Sequence, residues 1–223
     1  MNLKQKRKCP ICFSDKFELI YANNFCSLDN LDLSYYVCNC LHCGFVSANY
    51  IPEFVIYEEY YSRYSKYDIY DSEDKIPQID QEIANLTLDF IRSNGILFRC
   101  VYDIGCSIGL LLSKLKANYD LFRCEGIDPA PHSKTIAKEL FGLDIKTGFF
   151  DGSDRLDDYD LIIASSVLEH VIDVSKFINN ISINVREGTF LLLVVPSLND
   201  FPVTQGEWLG ELSLEHINFF NEF

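Results

Sequence analysis

The chain has 223 residues, 48% of them apolar, and carries a formal net charge of −14 at pH 7. That length allows one ordinary domain plus a small appendage, and the apolar and aromatic content excludes a disordered chain. The acidic balance argues against an extended nucleic-acid partner, and no apolar run reaches the length of a membrane span.

The start, MNLKQKRKCP, is basic but is not followed by the apolar run of a secretory signal. The nine cysteines are therefore read as reduced thiols of a cytoplasmic protein, serving as metal ligands or core residues. The charge run at residues 4–8, KQKRK, reads as a solvated tail that would at most touch an anion.

Cys9-Pro10-Ile11-Cys12 and Cys40-Leu41-His42-Cys43-Gly44 are two CxxC knuckles. Each places two thiolates on one side of a tight turn, and four thiolates complete a closed, structural zinc shell. Cys38 offers an alternative ligand, but the spacing favours Cys40 with Cys43; Cys26 and Cys38 are read as non-ligands and His42 as solvent-facing. Neither knuckle follows a strand of a βαβ unit, which argues against a redox pair. Residues 1–50 thus form an expected zinc ribbon. Residues 51–80 read as a connector rich in tyrosine. Tyr57, Tyr60, Tyr61, Tyr64 and Tyr67 recur there at helical spacing, as a lid over a ligand or as a packing stripe.

From residue 81 to 223 helix and strand patterns alternate. Ile83, Leu86, Phe90 and Ile91 mark one helix face, ended by Gly95. Strands are expected at 99–104, 121–127, 145–147, 159–164 and 189–195. Helices are expected at 109–115, at 131–141 with Pro131 in the first turn and Gly142 after the end, and at 174–185. This alternation predicts a parallel sheet with helices on both faces.

The first of these strands runs into Asp103-Ile104-Gly105-Cys106-Ser107-Ile108-Gly109-Leu110. Small residues there let the backbone approach a ligand, and the helix behind offers amide donors. The dinucleotide fingerprint GxGxxG would need glycine at 105, 107 and 110, so Ser107 and Leu110 disfavour NAD. The pattern D-x-G-x-x-x-G instead leaves Asp103 to receive the cationic amino group of an amino-acid ligand. The second strand ends in Gly126-Ile127-Asp128-Pro129, where a carboxylate can accept both hydroxyls of an unphosphorylated ribose. Glu169-His170 and Glu215-His216 supply histidines that titrate in the range of a general base.

DIGCSIG, EGIDPA, YDLIIASSVLEHV and EGTFLLLVVP resemble, in order, the successive motifs of class I S-adenosylmethionine-dependent methyltransferases over residues 81–196. The cysteine ribbon followed by YEEYYSRYSKYD resembles the zinc-bearing branch that includes sugar C-methyltransferases. The resemblance implies a Rossmann-like methyltransferase sheet with an N-terminal zinc ribbon and S-adenosylmethionine as cofactor. It implies that Asp103, Gly105 and Gly109 hold the methionine and ribose, that Asp128 binds the ribose hydroxyls, and that Phe149 lies by the adenine. Ser165 and Ser166 would lie near the methionine. His216, with Glu215, stands where sugar C-methyltransferases carry a Glu-His pair. His170 serves as a base or merely packs in a family loop.

The expected activity is methyl transfer to a small-molecule acceptor, a nucleotide-linked sugar or another glycan precursor, with neither nucleic acid nor membrane as partner. The alternative is a scaffold that keeps the cofactor on a degenerate fold. That alternative draws on the chain's ending at Asn221-Glu222-Phe223, ahead of the antiparallel strand pair that ordinarily completes such a sheet.

Overall fold

The computed structural model describes residues 4–23, 32–64, 72–198 and 215–221. Cys26 and Tyr67 of the sequence reading lie outside these residues, as do Glu222 and Phe223. In chain order the first elements are β1 (Lys4–Gln5), β2 (Phe17–Asn23), β3 (Tyr35–Cys40), β4 (Val46–Asn49), β5 (Ile51–Pro52) and α1 (Phe54–Arg63). They are followed by α2 (Gln78–Ser93), β6 (Cys100–Ile104), α3 (Leu110–Asn118), β7 (Arg123–Asp128), α4 (Pro131–Phe141) and β8 (Lys146–Thr147). The last are β9 (Leu161–Ser165), α5 (Val174–Ser182), β10 (Phe190–Val194) and β11 (Asn218–Phe219).

Contacts group Tyr61–Ser165 with Asn179–Val194 in one unit, and Met1–Tyr60 with Ser166–Ile178 and Val195–Phe223 in another.

The first of these units is built on a five-stranded sheet in the order β10-β9-β6-β7-β8, parallel throughout. Its strands alternate with helices, as the sequence pattern predicts, except that β8 leads to β9 without one, and the sheet is Rossmann-like. The interior strand β9, between β10 and β6, has no polar residue before Ser165, and Leu161, Ile162, Ile163 and Ala164 are all fully buried. A strand covered on both faces reads as a continuous apolar run for that reason. β10 is equally apolar, yet Phe190, Leu191 and Leu193 are exposed. It is the edge of the described sheet, so its apolar run does not by itself buy burial.

Helix α2 corrects the sequence reading of its buried face. Ala84, Thr87, Leu88 and Ile91 are buried, whereas Leu86 and Phe90 are exposed. Both sets have helical spacing, and packing against α3 chooses between them. Each fully buried aliphatic side chain here, such as Ile91, Leu112 or Leu115, contributes about 1.5–3 kcal/mol relative to exposure. The helix ends where Gly95 was expected to end it. Gly95 takes φ +61 and donates to Arg92 O at 3.0 Å, while Ile96 N donates to Ile91 O at 3.2 Å. That is the hydrogen-bond pair of a Schellman cap.

The other unit holds a four-stranded antiparallel sheet in the order β11-β4-β3-β2, with a bulge in β2 between Leu19 and Tyr21. β1 pairs with β5 beside it. The basic segment at 4–8 is therefore not a solvated tail: Lys4 and Gln5 are strand residues and Arg7 is buried, only 7% exposed. Buried carbonyl oxygens meet the guanidinium donors, which offsets part of the cost of burying the charge, although burial still lowers its ionisation to about 10. The stretch expected as a connector opens with strand β5 and continues into helix α1, where Tyr57 is buried.

Candidate functional site

The two cysteine knuckles are turns of like geometry. Phe13 N donates to Cys9 O at 3.0 Å, and Gly44 N donates to Cys40 O at 2.8 Å. Cys9 Sγ lies 3.6 Å from Cys43 Sγ, Cys12 Sγ lies 3.5 Å from Cys40 Sγ, and all four sulfurs fall within 4.8 Å of one another. Four sulfurs at tetrahedral corners around zinc stand about 3.8 Å apart, given Zn–S bonds of about 2.3 Å. The donor set fits that ion. Cys43 is the exposed member of the four; desolvation, with its contacts to the thiols of Cys12, Cys9 and Cys40, pushes its thiol up. Burial also opposes ionisation of Cys40, but the backbone amides of Cys43 and His42 bring it down to about 6. Cys38 is buried outside this group, and His42 is exposed as expected.

The second cluster is built at the ends of β6 and β7. Gly105 N and Cys106 N both donate to Ile127 O, at 2.8 and 3.1 Å, so the turn after β6 folds over the neighbouring strand. Gly105, Ser107 and Gly109 have φ of 71, 53 and 80. A Cβ on Gly109 would come 2.9 Å from Leu143 Cδ1. Asp103 is fully buried, and its Oδ1 has no hydrogen-bond partner among the described residues. Burial, with Asp128 nearby, raises its carboxyl well above the ordinary carboxylate range. An orphaned buried carboxyl fits a cationic amino group, which would supply both donors and charge.

Asp128 is held in place by the chain itself. Its Oδ2 accepts from Ser107 N at 2.8 Å, and its Oδ1 accepts from Ala130 N at 2.9 Å and Ser133 Oγ at 3.1 Å. Gly148 N donates to Asp128 O at 2.9 Å, which brings the turn before Phe149 alongside this acid. The Phe149 ring meets Tyr61 edge to face, centroids 5.7 Å apart. Ser165 closes β9, one residue past the Ile104–Ala164 pairing. Asp103, Gly105, Gly109 and Asp128 are thus brought together.

The histidines form a third cluster, in the unit that carries the cysteines. The rings of His170 and His216 meet edge to face with centroids 4.7 Å apart. His170 Nδ1 lies 3.2 Å from Glu215 O. A neutral ring donating through Nδ1 presents Nε2 as its lone-pair nitrogen. Glu169 is buried, and a carboxylate oxygen of it lies within 4.8 Å of both histidines. The Tyr60 hydroxyl is bonded to the Glu215 carboxylate; burial first, then that carboxylate, raises its ionisation above the usual tyrosine range. The backbone joins the two segments, with Ile217 N donating to Glu169 O at 2.8 Å.

Sequence reasoning missed three residues. Gly126 lets β7 approach the glycine turn: a Cβ there would sit 2.8 Å from both Asp103 O and Cys106 Sγ. A glycine in the interior of a strand is the signal that could have found it. Arg7 and Asn218 are buried polar residues that bind each other, Arg7 Nη2 to Asn218 Oδ1 at 2.6 Å. Nothing local in the sequence marks either.

A family model described as a methyltransferase domain matches residues 61–223. Ajmaline N-methyltransferase of Rauvolfia serpentina is 30% identical over 105 residues, 43% of this chain and 35% of that protein. A ubiquinone biosynthesis O-methyltransferase of Methylocella silvestris is 36% identical over 97 residues, 40% of this chain and 36% of that protein. The matched segments therefore span little more than a third of these relatives. The solved mitomycin 7-O-methyltransferase superposes with a TM-score of 0.50 at 19% identity, over 63% of this chain and 43% of that one, a likeness of fold.

Proposed function

The chain belongs to the methyltransferase-domain family, and from that premise we propose that it transfers a methyl group from S-adenosylmethionine to a small-molecule acceptor. The observation that carries this reading is the orphaned, buried carboxyl of Asp103 beside the glycine turn. Asp103 would receive the ligand's ammonium, Asp128 its ribose hydroxyls, and Phe149 would pack by the adenine. Gly105 and Gly109 leave room for the backbone to approach. The sulfonium of the bound cofactor supplies an electrophilic methyl group, and much of such a displacement is placement.

The acceptor class we favour is a nucleotide-linked sugar or other glycan precursor, on the strength of the Glu215-His216 pair and the four-cysteine ribbon, which we read as a structural zinc site. His216 and His170 are the candidate bases for the acceptor proton, with Glu215 beside them. Calorimetry tests the cofactor reading. S-adenosylhomocysteine should bind, NAD should not, and Asp103→Asn should weaken binding. Equal affinity for NAD would overturn it.

A further inference from the structure

Arg7 lies at the meeting point of four segments that are far apart in sequence. Its Nε donates to Ile172 O at 2.8 Å, Nη2 to Val171 O at 3.1 Å and to Asn218 Oδ1 at 2.6 Å. Nη1 donates to Ile217 O at 3.0 Å and to Ala48 O at 3.4 Å. Its backbone N–H donates to Asn49 Oδ1 at 3.3 Å. The guanidinium has five N–H donors in a fixed fork, and five acceptors surround it.

These acceptors are not arbitrary. Val171 and Ile172 directly follow His170, and Ile217 and Asn218 directly follow His216. Asn218 completes the bridge by donating through Nδ2 to Leu168 O at 2.6 Å and Val171 O at 2.8 Å. One buried cation and one buried amide therefore tie the two histidine-bearing segments to each other. The same arm continues to Cys9, and Ser175 Oγ donates to Pro10 O at 2.9 Å. The cysteine knuckle thus anchors Arg7 from the other side.

We propose that Arg7 is a positioning residue: it locks the segment 168–172 to the segment 215–218, so that His170 and His216 meet at a fixed distance. This rests on the reading that the histidine pair acts on the acceptor. Carbonyl oxygens held by a rigid fork cannot slide past one another, whereas a lysine would offer three donors from a single flexible point.

The test uses the full chain as isolated, with its metal, bound to S-adenosylhomocysteine and labelled at histidine. In the wild-type chain, nuclear Overhauser spectra should show a cross-peak between the His170 and His216 rings. Arg7→Met should abolish that cross-peak while leaving the signals of His132, an exposed residue in the first turn of α4, and the affinity for S-adenosylhomocysteine unchanged. Arg7→Lys should restore it in part. A folded, metal-bound Arg7→Met chain with the cross-peak at full intensity overturns the proposal. Should Arg7→Met fail to fold, Arg7→Lys and Asn218→Ser are read in the same way, and undiminished cross-peaks in both overturn it. A lost cross-peak, together with full turnover by His170→Gln and His216→Gln, upholds the positioning role and removes the histidines from the chemistry.

Discussion

Asp128 Oδ2 accepts the backbone N–H of Ser107 at 2.8 Å, so the acid that ends β7 also holds the turn that follows β6. Two motifs that look independent in the sequence are one structural unit. Asp128→Ala removes this bond and those from Ala130 N and Ser133 Oγ. It should lower the stability of the unliganded chain by about 2–4 kcal/mol, since buried donors are left unmet. Affinity for S-adenosylhomocysteine should fall as well. Denaturant unfolding read beside calorimetry separates the two effects, and an unchanged midpoint would show that the carboxylate does not brace the turn.

Ser107 itself takes φ 53, a left-handed conformation that side chains disfavour. Ser107→Gly should therefore stabilise the chain by up to about 1 kcal/mol, and Ser107→Val should destabilise it by more than that. Thermal unfolding of the three chains checks the order. The reverse order would mean that the serine hydroxyl, not the backbone, decides the position.

Asp103 makes the stability of the chain depend on pH. Its folded-state value is raised well above 3.8, chiefly by burial and then by Asp128. The folded chain thus keeps a proton that the unfolded chain releases. That contribution is fully present below the unfolded value and is lost as pH rises through the raised one. Asp103→Asn should gain stability over wild type as pH increases across this window. An ammonium ligand drives the carboxyl to ionise, so binding below the raised value should release protons. Calorimetry in two buffers of different ionisation enthalpy measures that release, which should vanish in Asp103→Asn.

Metal removal should unfold the N-terminal sheet locally, because β3 leads directly into the second knuckle at Cys40. The chain purified without added metal should carry about one zinc equivalent, and Cys43→Ser should reduce it. Cobalt substitution should give the intense thiolate charge-transfer bands of a four-sulfur site. Finding four freely titratable thiols in the folded chain would count decisively against the assignment.

The contact between the histidine rings bears on kinetics. A base replaced by Gln should lose about 10²–10⁴-fold in turnover with cofactor affinity kept. Because His170 and His216 touch, the double variant should lose less than the product of the single losses. Strict multiplication of the two effects would indicate that the rings act independently.

Much of the α/β unit is legible in the sequence because its signals are local. The run Leu161–Ala164, the turn Gly105–Gly109 and the Gly95 cap each declare themselves within one short stretch. The buried face of α2 does not, since Leu86 and Phe90 have the same helical spacing as the residues that turn inward. Apolar periodicity names candidates, and neighbouring elements choose among them.

The sequence by itself determined the alternation of strand and helix, the two cysteine knuckles, and the acids that follow the first two strands of the parallel sheet. Each depends on spacing within a turn or an element, where backbone geometry leaves few options. Only the tertiary structure decided that Arg7 is a buried clasp and that His170 meets His216. The hydrogen-bond partners of Arg7 lie as far as 165 and 211 positions along the chain. No local pattern encodes such a pairing, because the guanidinium is satisfied only after separate segments have folded around it.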